Sequence, residues 1–373
     1  MFTGKNDHNN TVIDRMGSLS NDMGNLKHCY SCYYTLWVSP VDERRVMVST
    51  CCKNAFLTKN RRIVSAGICA SWNAREFQVQ RALTRKGDWS YCWKAGDCFF
   101  NPFFQEKEFI GDNPDVGKAI LTGGTKLGYF AKKVYIIPSL ACNNNCFFCY
   151  NGKEGHRGSC YQLSEGILKE LREEVVPSAQ EIVVSGGEPF FSACAQKLIR
   201  WMITDFPEKK LTILTNGTLL QAFGIEKVLR PNIFPVISLY GMCRQTYKNT
   251  TGTGYFDAAW GAITQLLACG CENLNLTFIV SRTTAAEAMQ FCQFIESEGR
   301  LKGVVRNNSA DGNKFKGLMR SLETRFARIS SRLKFSYCRE TFSDKLLQKL
   351  YDPYYTTRYF YPTLKVTQKG RSE

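Results

Sequence analysis

No apolar run in this 373-residue sequence is long enough to cross a bilayer, so no membrane span is expected. Residues Met1 to Asn25 are polar and lack the apolar segment that a secretory signal needs. Acidic side chains are in short supply: 33 Asp and Glu face 49 Lys and Arg, a formal charge of +16. That excess suits an anionic partner, whether nucleic acid, an acidic peptide, a phosphorylated small molecule or a membrane surface, and charge alone does not choose among them. Histidine is scarce at three, and His8 and His156 both fall in polar segments. Nor is there the even cysteine set of a short secreted frame. The 17 cysteines, in a long charged chain, read as reduced, cytoplasmic and partly metal-bound thiols, not as disulfides.

What is present supports a substantial core. Apolar residues make up 44% of the chain, and the length suits a barrel with an accessory module. Residues 1–25 read as a flexible tail, 26–110 as a cysteine-rich module, and 111–132 as a glycine-punctuated linker. Residues 133–310 repeat a strand–loop–helix pattern, and 311–373 form a basic, aromatic extension. Expected strands are Val134–Ile137, Glu181–Val184, Leu211–Leu214, Phe234–Leu239, Leu274–Val280 and Gly303–Arg306. Between them, helices are expected over 163–176, 191–206, 219–229, 256–267 and 284–298. Apolar strands alternating with amphipathic helices imply a parallel sheet. An open (β/α)6 barrel and a doubly wound sheet share this local pattern, so periodicity leaves both standing.

The chemistry is concentrated in Cys142-Asn143-Asn144-Asn145-Cys146-Phe147-Phe148-Cys149, a C-x3-C-x2-C loop after the first of these strands. Three thiolates on one loop suit three corners of a [4Fe–4S] cube, whose fourth iron then lacks a protein ligand. A partial zinc site and buried thiols are the alternatives. Ser185-Gly186-Gly187-Glu188-Pro189 follows the second strand, Thr215-Asn216-Gly217 the third, and Ser238-Leu239-Tyr240-Gly241 ends the fourth. All fall at strand C-termini, where parallel barrels place their active sites.

The cysteine loop and the Gly-Gly-Glu-Pro run resemble the radical S-adenosylmethionine (radical SAM) superfamily. The resemblance implies an α/β fold, an open (β/α)6 partial TIM barrel. It implies that the open iron chelates the amino and carboxylate groups of S-adenosylmethionine. One electron then cleaves the sulfonium to a 5′-deoxyadenosyl radical, which abstracts a substrate hydrogen. By the same resemblance Cys142, Cys146 and Cys149 hold the cluster. Phe148, Gly186, Gly187, Glu188, Pro189, Thr215, Asn216, Ser238 and Arg306 are candidates for holding the cofactor, with Glu188 taking its amino group. Ser-Leu-Tyr-Gly, then Thr246-Tyr247 and Thr251-Gly252-Thr253-Gly254-Tyr255-Phe256, is similar to the branch that matures ribosomally made peptides. A peptide substrate is therefore expected, with a flavodoxin- or ferredoxin-type reducing partner. A small molecule such as an aminoglycoside, sugar or nucleoside is the alternative, and RNA is a third.

Residues 26–110 open with Cys29-x-x-Cys32, followed by strands over 35–39 and 45–50 with a turn at 40–43. Cys51 and Cys52 come next, then a helix over 74–85, then Cys92 and Cys98. This layout is similar to the SPASM and twitch modules that carry an auxiliary [4Fe–4S] cluster, although here it precedes the barrel. Candidate ligands are Cys32, Cys51 or Cys52, Cys92 and Cys98, with Cys29 an alternate and Cys69 a spare. A zinc site fits C-x-x-C with a later pair as well. In the C-terminal extension Leu318, Leu322, Phe326, Ile329 and Leu333 recur at helical spacing, which favours a packed basic helix over a nucleic-acid surface. Cys160, Cys194, Cys269, Cys271 and Cys292 are expected as buried thiols. Iron assayed after anaerobic purification is expected at about eight atoms per chain, two cubes; about four would remove the auxiliary cluster.

Overall fold

In the computed structural model the described residues are 31–51, 61–86, 88, 113–149, 161–307 and 314–336. They form one ten-stranded sheet in the order β10-β9-β8-β7-β6-β5-β4-β1-β2-β3. The strands are β1 (Thr35–Pro40), β2 (Val46–Ser49), β3 (Arg61–Val64), β4 (Lys133–Ile136) and β5 (Glu181–Val184). They continue with β6 (Lys210–Thr215), β7 (Ile233–Leu239), β8 (Asn275–Val280), β9 (Lys302–Asn307) and β10 (Leu333–Ser336).

From β4 to β10 every neighbour pair is parallel and follows chain order. A doubly wound sheet would reverse its order at a switch point. None occurs across these seven strands, so the helices wind in one sense and the sheet is of the partial-barrel kind. The strands read as expected from their burial: all four residues of β5 are buried, and β7 alternates buried and half-buried side chains along its length.

Several local expectations change. β1 pairs in parallel with β4, so the N-terminal hairpin extends the main sheet. The cross-strand pair Trp37 and Tyr135 stacks there, with ring centroids 3.8 Å apart and planes 2° from parallel. Pro40 ends β1 and does not open the turn. Within the stretch read as a linker, Pro114–Thr122 forms a helix, with Pro114 in its first turn and Gly123 at φ 74° closing it. The helix expected over 219–229 breaks at Gly224 (φ 112°) into Leu220–Phe223 and a 3₁₀ turn. Leu333 belongs to β10, because the C-terminal helix stops at Arg325 and the chain returns to pair with β9. Met319 and Leu322 face the core, while Arg320 and Arg325 face solvent. Cys194 and Cys292 are buried as expected, but Cys269 is exposed and Cys271 half-buried.

Arg81, on the helix Arg75–Arg85, is fully buried. Its guanidinium donates to the carbonyls of Cys32, Thr125 and Trp72 at 2.8 Å each and lies 4.4 Å from the Trp72 ring centroid. One cation thus ties three chain segments together, and Glu170 caps the helix Ile68–Ser71 from the barrel side through the Gly67 and Ile68 amides. Among the described residues no helix is long and apolar enough to cross a membrane. Arg81→Met removes the donor from two buried carbonyls and one half-buried carbonyl and is expected to cost about 3 kcal/mol or more in urea unfolding. Arg62→Met, at a half-exposed ion pair with Glu76, should cost less than about 1 kcal/mol.

Candidate active site

The parallel register puts the C-terminal ends of β4 to β9 on one edge, and the loops leaving that edge build the site. The loop after β4 carries Cys142, Cys146 and Cys149, all half-buried. The three thiols lie close enough for each of Cys142 and Cys146 to feel charge on its neighbours. Burial, first, and nearby negative charge push the Cys142 thiol up to about 12 and raise Cys146 as well. Such thiols ionise when metal cations supply the compensating charge. Among the described residues no group of three His, Cys, Asp or Glu forms a site for a single metal ion. A cube takes each thiolate on a different iron, so this donor set fits a cube anchored at three corners.

The loop is fixed by backbone pairing on one side. Gly187 N–H donates to Ser139 O at 3.0 Å, and Glu188 N–H donates to Ala141 O at 2.8 Å. A Cβ on Gly187 would lie 2.0 Å from Ala141 O, and one on Gly186 (φ 125°) would lie 2.6 Å from Ser139 O. Both glycines are therefore needed for close approach to the cysteine loop itself.

On the other side the helix Arg244–Thr251 docks. Asn145 N–H donates to Thr251 O at 2.8 Å and Phe147 N–H to Thr250 O at 3.2 Å. The three asparagines between the first two cysteines share the work. Asn143 accepts from Asn216 and donates to Thr218, each at 2.8 Å. Asn144, buried, donates to the Tyr247 hydroxyl at 3.1 Å and accepts from Thr253 at 2.8 Å. These contacts were missed because a run of asparagines signals polarity but not its partners.

Glu188 is 1% exposed and points into the protein. It accepts from the Thr215 hydroxyl at 2.6 Å, Asn216 N–H at 2.7 Å and Phe190 N–H at 3.2 Å. Burial raises its carboxyl to about 7 against the opposing pull of these hydrogen bonds. Thr215 and Asn216 are likewise buried, and Asn216 also accepts from Thr218. Glu188, Thr215, Asn216, Asn143 and Thr218 thus form one network that joins the β5 and β6 loops to the cysteine loop. Pro189 is buried in the same turn.

The Ser238 side chain lies close to the Tyr240 hydroxyl, and Tyr240 packs against Phe148 with centroids 5.9 Å apart. Arg306 is exposed at the end of β9, beside Ile279 in register. Arg282, after β8 and exposed, places its guanidinium 4.7 Å from the Phe147 ring centroid, a cation beside the cysteine loop. Cys32 is fully buried near the Thr84 hydroxyl (3.7 Å), and Cys51 is buried just past β2. Cys29, Cys52, Cys92 and Cys98 lie outside the described residues, as does His156.

With this geometry in place, residues 136–295 match the profile of the radical SAM superfamily. The chain carries a radical SAM domain. Such a domain implies a [4Fe–4S] cluster and S-adenosylmethionine as cofactors. A probable GTP 3′,8-cyclase of Saccharolobus solfataricus is 29% identical over 160 residues, 43% of this chain and 51% of that protein. A probable GTP 3′,8-cyclase of Sulfurisphaera tokodaii is 26% identical over 161 residues, 42% of this chain and 50% of that protein. The chain thus spans about half the length of these relatives. Among solved structures, Streptococcus suis SuiB bound to the precursor peptide SuiA aligns at 13% identity with a TM-score of 0.47. That alignment covers 80% of this chain and 72% of SuiB.

The Glu188 carboxyl gives the domain a pH signature. An acid whose folded value is raised contributes stability that is fully present below its unfolded value, near 4.5, and lost as pH rises through about 7. Apo protein is therefore expected to lose stability over this interval. Glu188→Gln should flatten the decline while lowering stability at pH 4.5 by about 1–2 kcal/mol through the Asn216 N–H it leaves without an acceptor, measured by urea unfolding across pH.

Proposed function

We propose that this protein reductively cleaves S-adenosylmethionine and abstracts a hydrogen atom from a peptide or protein substrate. The observation that carries the reading is the convergence of Cys142, Cys146 and Cys149 at the C-terminal edge of a parallel sheet, on a loop held from both sides by backbone hydrogen bonds. When bound, the cluster and S-adenosylmethionine supply the one-electron chemistry and the carbon-centred radical. Cys142, Cys146 and Cys149 would hold the cluster. Gly186 and Gly187 bring their turn against the loop, and the Glu188 network keeps that turn in register with the β6 loop. Ser238, near Tyr240 at the end of β7, and Arg306, near the end of β9, stand on the same sheet edge as cofactor contacts. Glu188 remains a candidate for the cofactor's amino group; three donors already occupy it, so its larger part here is to hold the turn. Of the candidate auxiliary ligands among the described residues, Cys32 on the short helix Ser31–Tyr34 and Cys51 just past β2 are buried and the spare Cys69 is half-buried; an auxiliary cluster there would relay electrons or ligate substrate.

Two rim residues support a peptide as the substrate class. Phe191, after the Gly-Gly-Glu-Pro turn, and Tyr255, at the start of the helix Phe256–Ala268, are the exposed large apolar side chains among the described residues. Both precede helices that descend from the C-terminal edge, so both flank the site opening. Aromatic rim residues suit the side chains of a peptide. A nucleotide is the second reading, favoured by the relatives named probable GTP 3′,8-cyclase. Their match, however, covers the cluster-bearing domain and leaves more than half of this chain unmatched.

Anaerobically reconstituted protein given S-adenosylmethionine and dithionite is expected to release 5′-deoxyadenosine, and Cys146→Ala to release none. Co-expressed peptides encoded beside it should change mass. A GTP-dependent rise in 5′-deoxyadenosine with unchanged peptides would overturn the peptide reading in favour of the nucleotide.

A further inference from the structure

A continuous file of aromatic rings leads away from the cysteine loop. Phe147 and Phe148 have centroids 5.1 Å apart, Phe148 and Tyr240 5.9 Å, and Tyr240 and Tyr247 6.2 Å. The file continues from Tyr247 to Phe256 at 6.0 Å, Phe256 to Trp260 at 5.8 Å, and Trp260 to Phe294 at 5.1 Å. It starts between two of the clustered cysteines and ends at Trp260 and Phe294, both half-buried, on the helices Phe256–Ala268 and Ala288–Ser297. At these spacings neighbouring ring edges are in contact.

Packing explains contact but not the order of ring types. Both oxidisable phenols, Tyr240 and Tyr247, stand at the inner end, beside the cysteines. The indole stands at the outer end, and a single phenylalanine separates it from Tyr247. Tyrosine and tryptophan give up one electron far more readily than phenylalanine, and a phenol O–H is weaker than an aliphatic C–H. In a site that makes carbon-centred radicals, a radical that finds no substrate hydrogen meets Tyr240 first along this file.

We propose that Tyr240, Tyr247 and Trp260 form a relay that carries an oxidising equivalent from the active site to the protein surface; this rests on the radical reaction proposed above. In the first step the Tyr240 O–H bond breaks and its hydrogen atom closes a C–H bond on the stray carbon radical. The Tyr240 phenoxyl regains an electron from Trp260, by way of Tyr247 and across the Phe256 ring, and a proton from water at the site mouth. The Trp260 indole releases its N–H proton to solvent. The indolyl radical then takes one electron and one proton at the surface, the electron coming from the external one-electron reductant that the reaction already uses. Each cycle consumes one electron and one proton and leaves every ring restored.

The test runs the holoenzyme with S-adenosylmethionine and dithionite but no substrate. Freeze-quenched EPR follows the aromatic radicals, and the 5′-deoxyadenosine made before inactivation is counted. Ring-deuterated tryptophan is expected to narrow part of the wild-type signal. Trp260→Phe, which keeps an apolar ring, should leave a tyrosyl signal that persists several-fold longer and should inactivate after several-fold fewer turnovers. Trp260→Tyr, which restores an oxidisable ring, should behave as wild type. Three results overturn the relay while 5′-deoxyadenosine still forms: no aromatic radical in the wild type, a Trp260→Phe enzyme indistinguishable from it, or a Trp260→Tyr enzyme as damaged as Trp260→Phe. Absence of 5′-deoxyadenosine from the wild type overturns the parent reading and the relay together.

Discussion

The pairing of two backbone segments, Ser139–Ala141 with Gly187–Glu188, is the constraint on which the site depends. A hydrogen bond of this kind contributes little net stability by itself. Its importance lies in where it is made. It sets the entry of the cysteine loop against the first turn after β5, and it is possible only because Gly187 carries no Cβ to meet Ala141 O. Any side chain there would push the two loops apart and with them the three thiols. The glycines of the Gly-Gly-Glu-Pro run thus do their work inside the protein before any ligand arrives.

Around that pairing the polar side chains form a scaffold more than a ligand set. Glu188 sits at the centre of a buried network, and a buried network of this type is stabilising only when each member is satisfied. Thr215, Asn216 and Phe190 meet that condition from one side, and Asn143 and Thr218 extend the network to the cysteine loop. The helix Arg244–Thr251 closes the other side with two of its last carbonyls, which at a helix end have no partner within the helix. The loop therefore satisfies helix-terminal groups while being held by them. A catalytic loop gains preorganisation from such supports, because its ligands are then in place before the cofactors bind.

The N-terminal segment is joined to this framework more closely than its cysteine pattern suggested. β1 continues the parallel sheet next to β4, Trp37 stacks on Tyr135 across that junction, and Arg81 binds carbonyls from three segments. Ile137 N–H, just past β4, donates to Val38 O, so the strand that feeds the cysteine loop is flanked on both edges. A change in the N-terminal packing is in this way transmitted to the start of the loop through main-chain hydrogen bonds.

Much of this was legible in one dimension, for a physical reason. Thiolate spacing, glycine before an acid, and apolar four- to seven-residue runs are local properties, so Cys142, Cys146, Cys149, Gly187 and strands such as β5 could be named from the sequence. Their alternation with amphipathic helices implied a parallel sheet. What the sequence could not decide was everything that depends on which segments meet. Strand order, and hence a singly wound barrel against a doubly wound sheet, is a non-local fact, as is the pairing of β1 with β4. Three consecutive asparagines look alike on paper, yet Asn143 reaches the β6 loop and Asn144 reaches Tyr247 and Thr253. Residues scattered from Phe147 to Phe294 become one file of rings only once the helices are docked. Local chemistry chose the ligands; tertiary packing alone chose what holds them and what lies next to them.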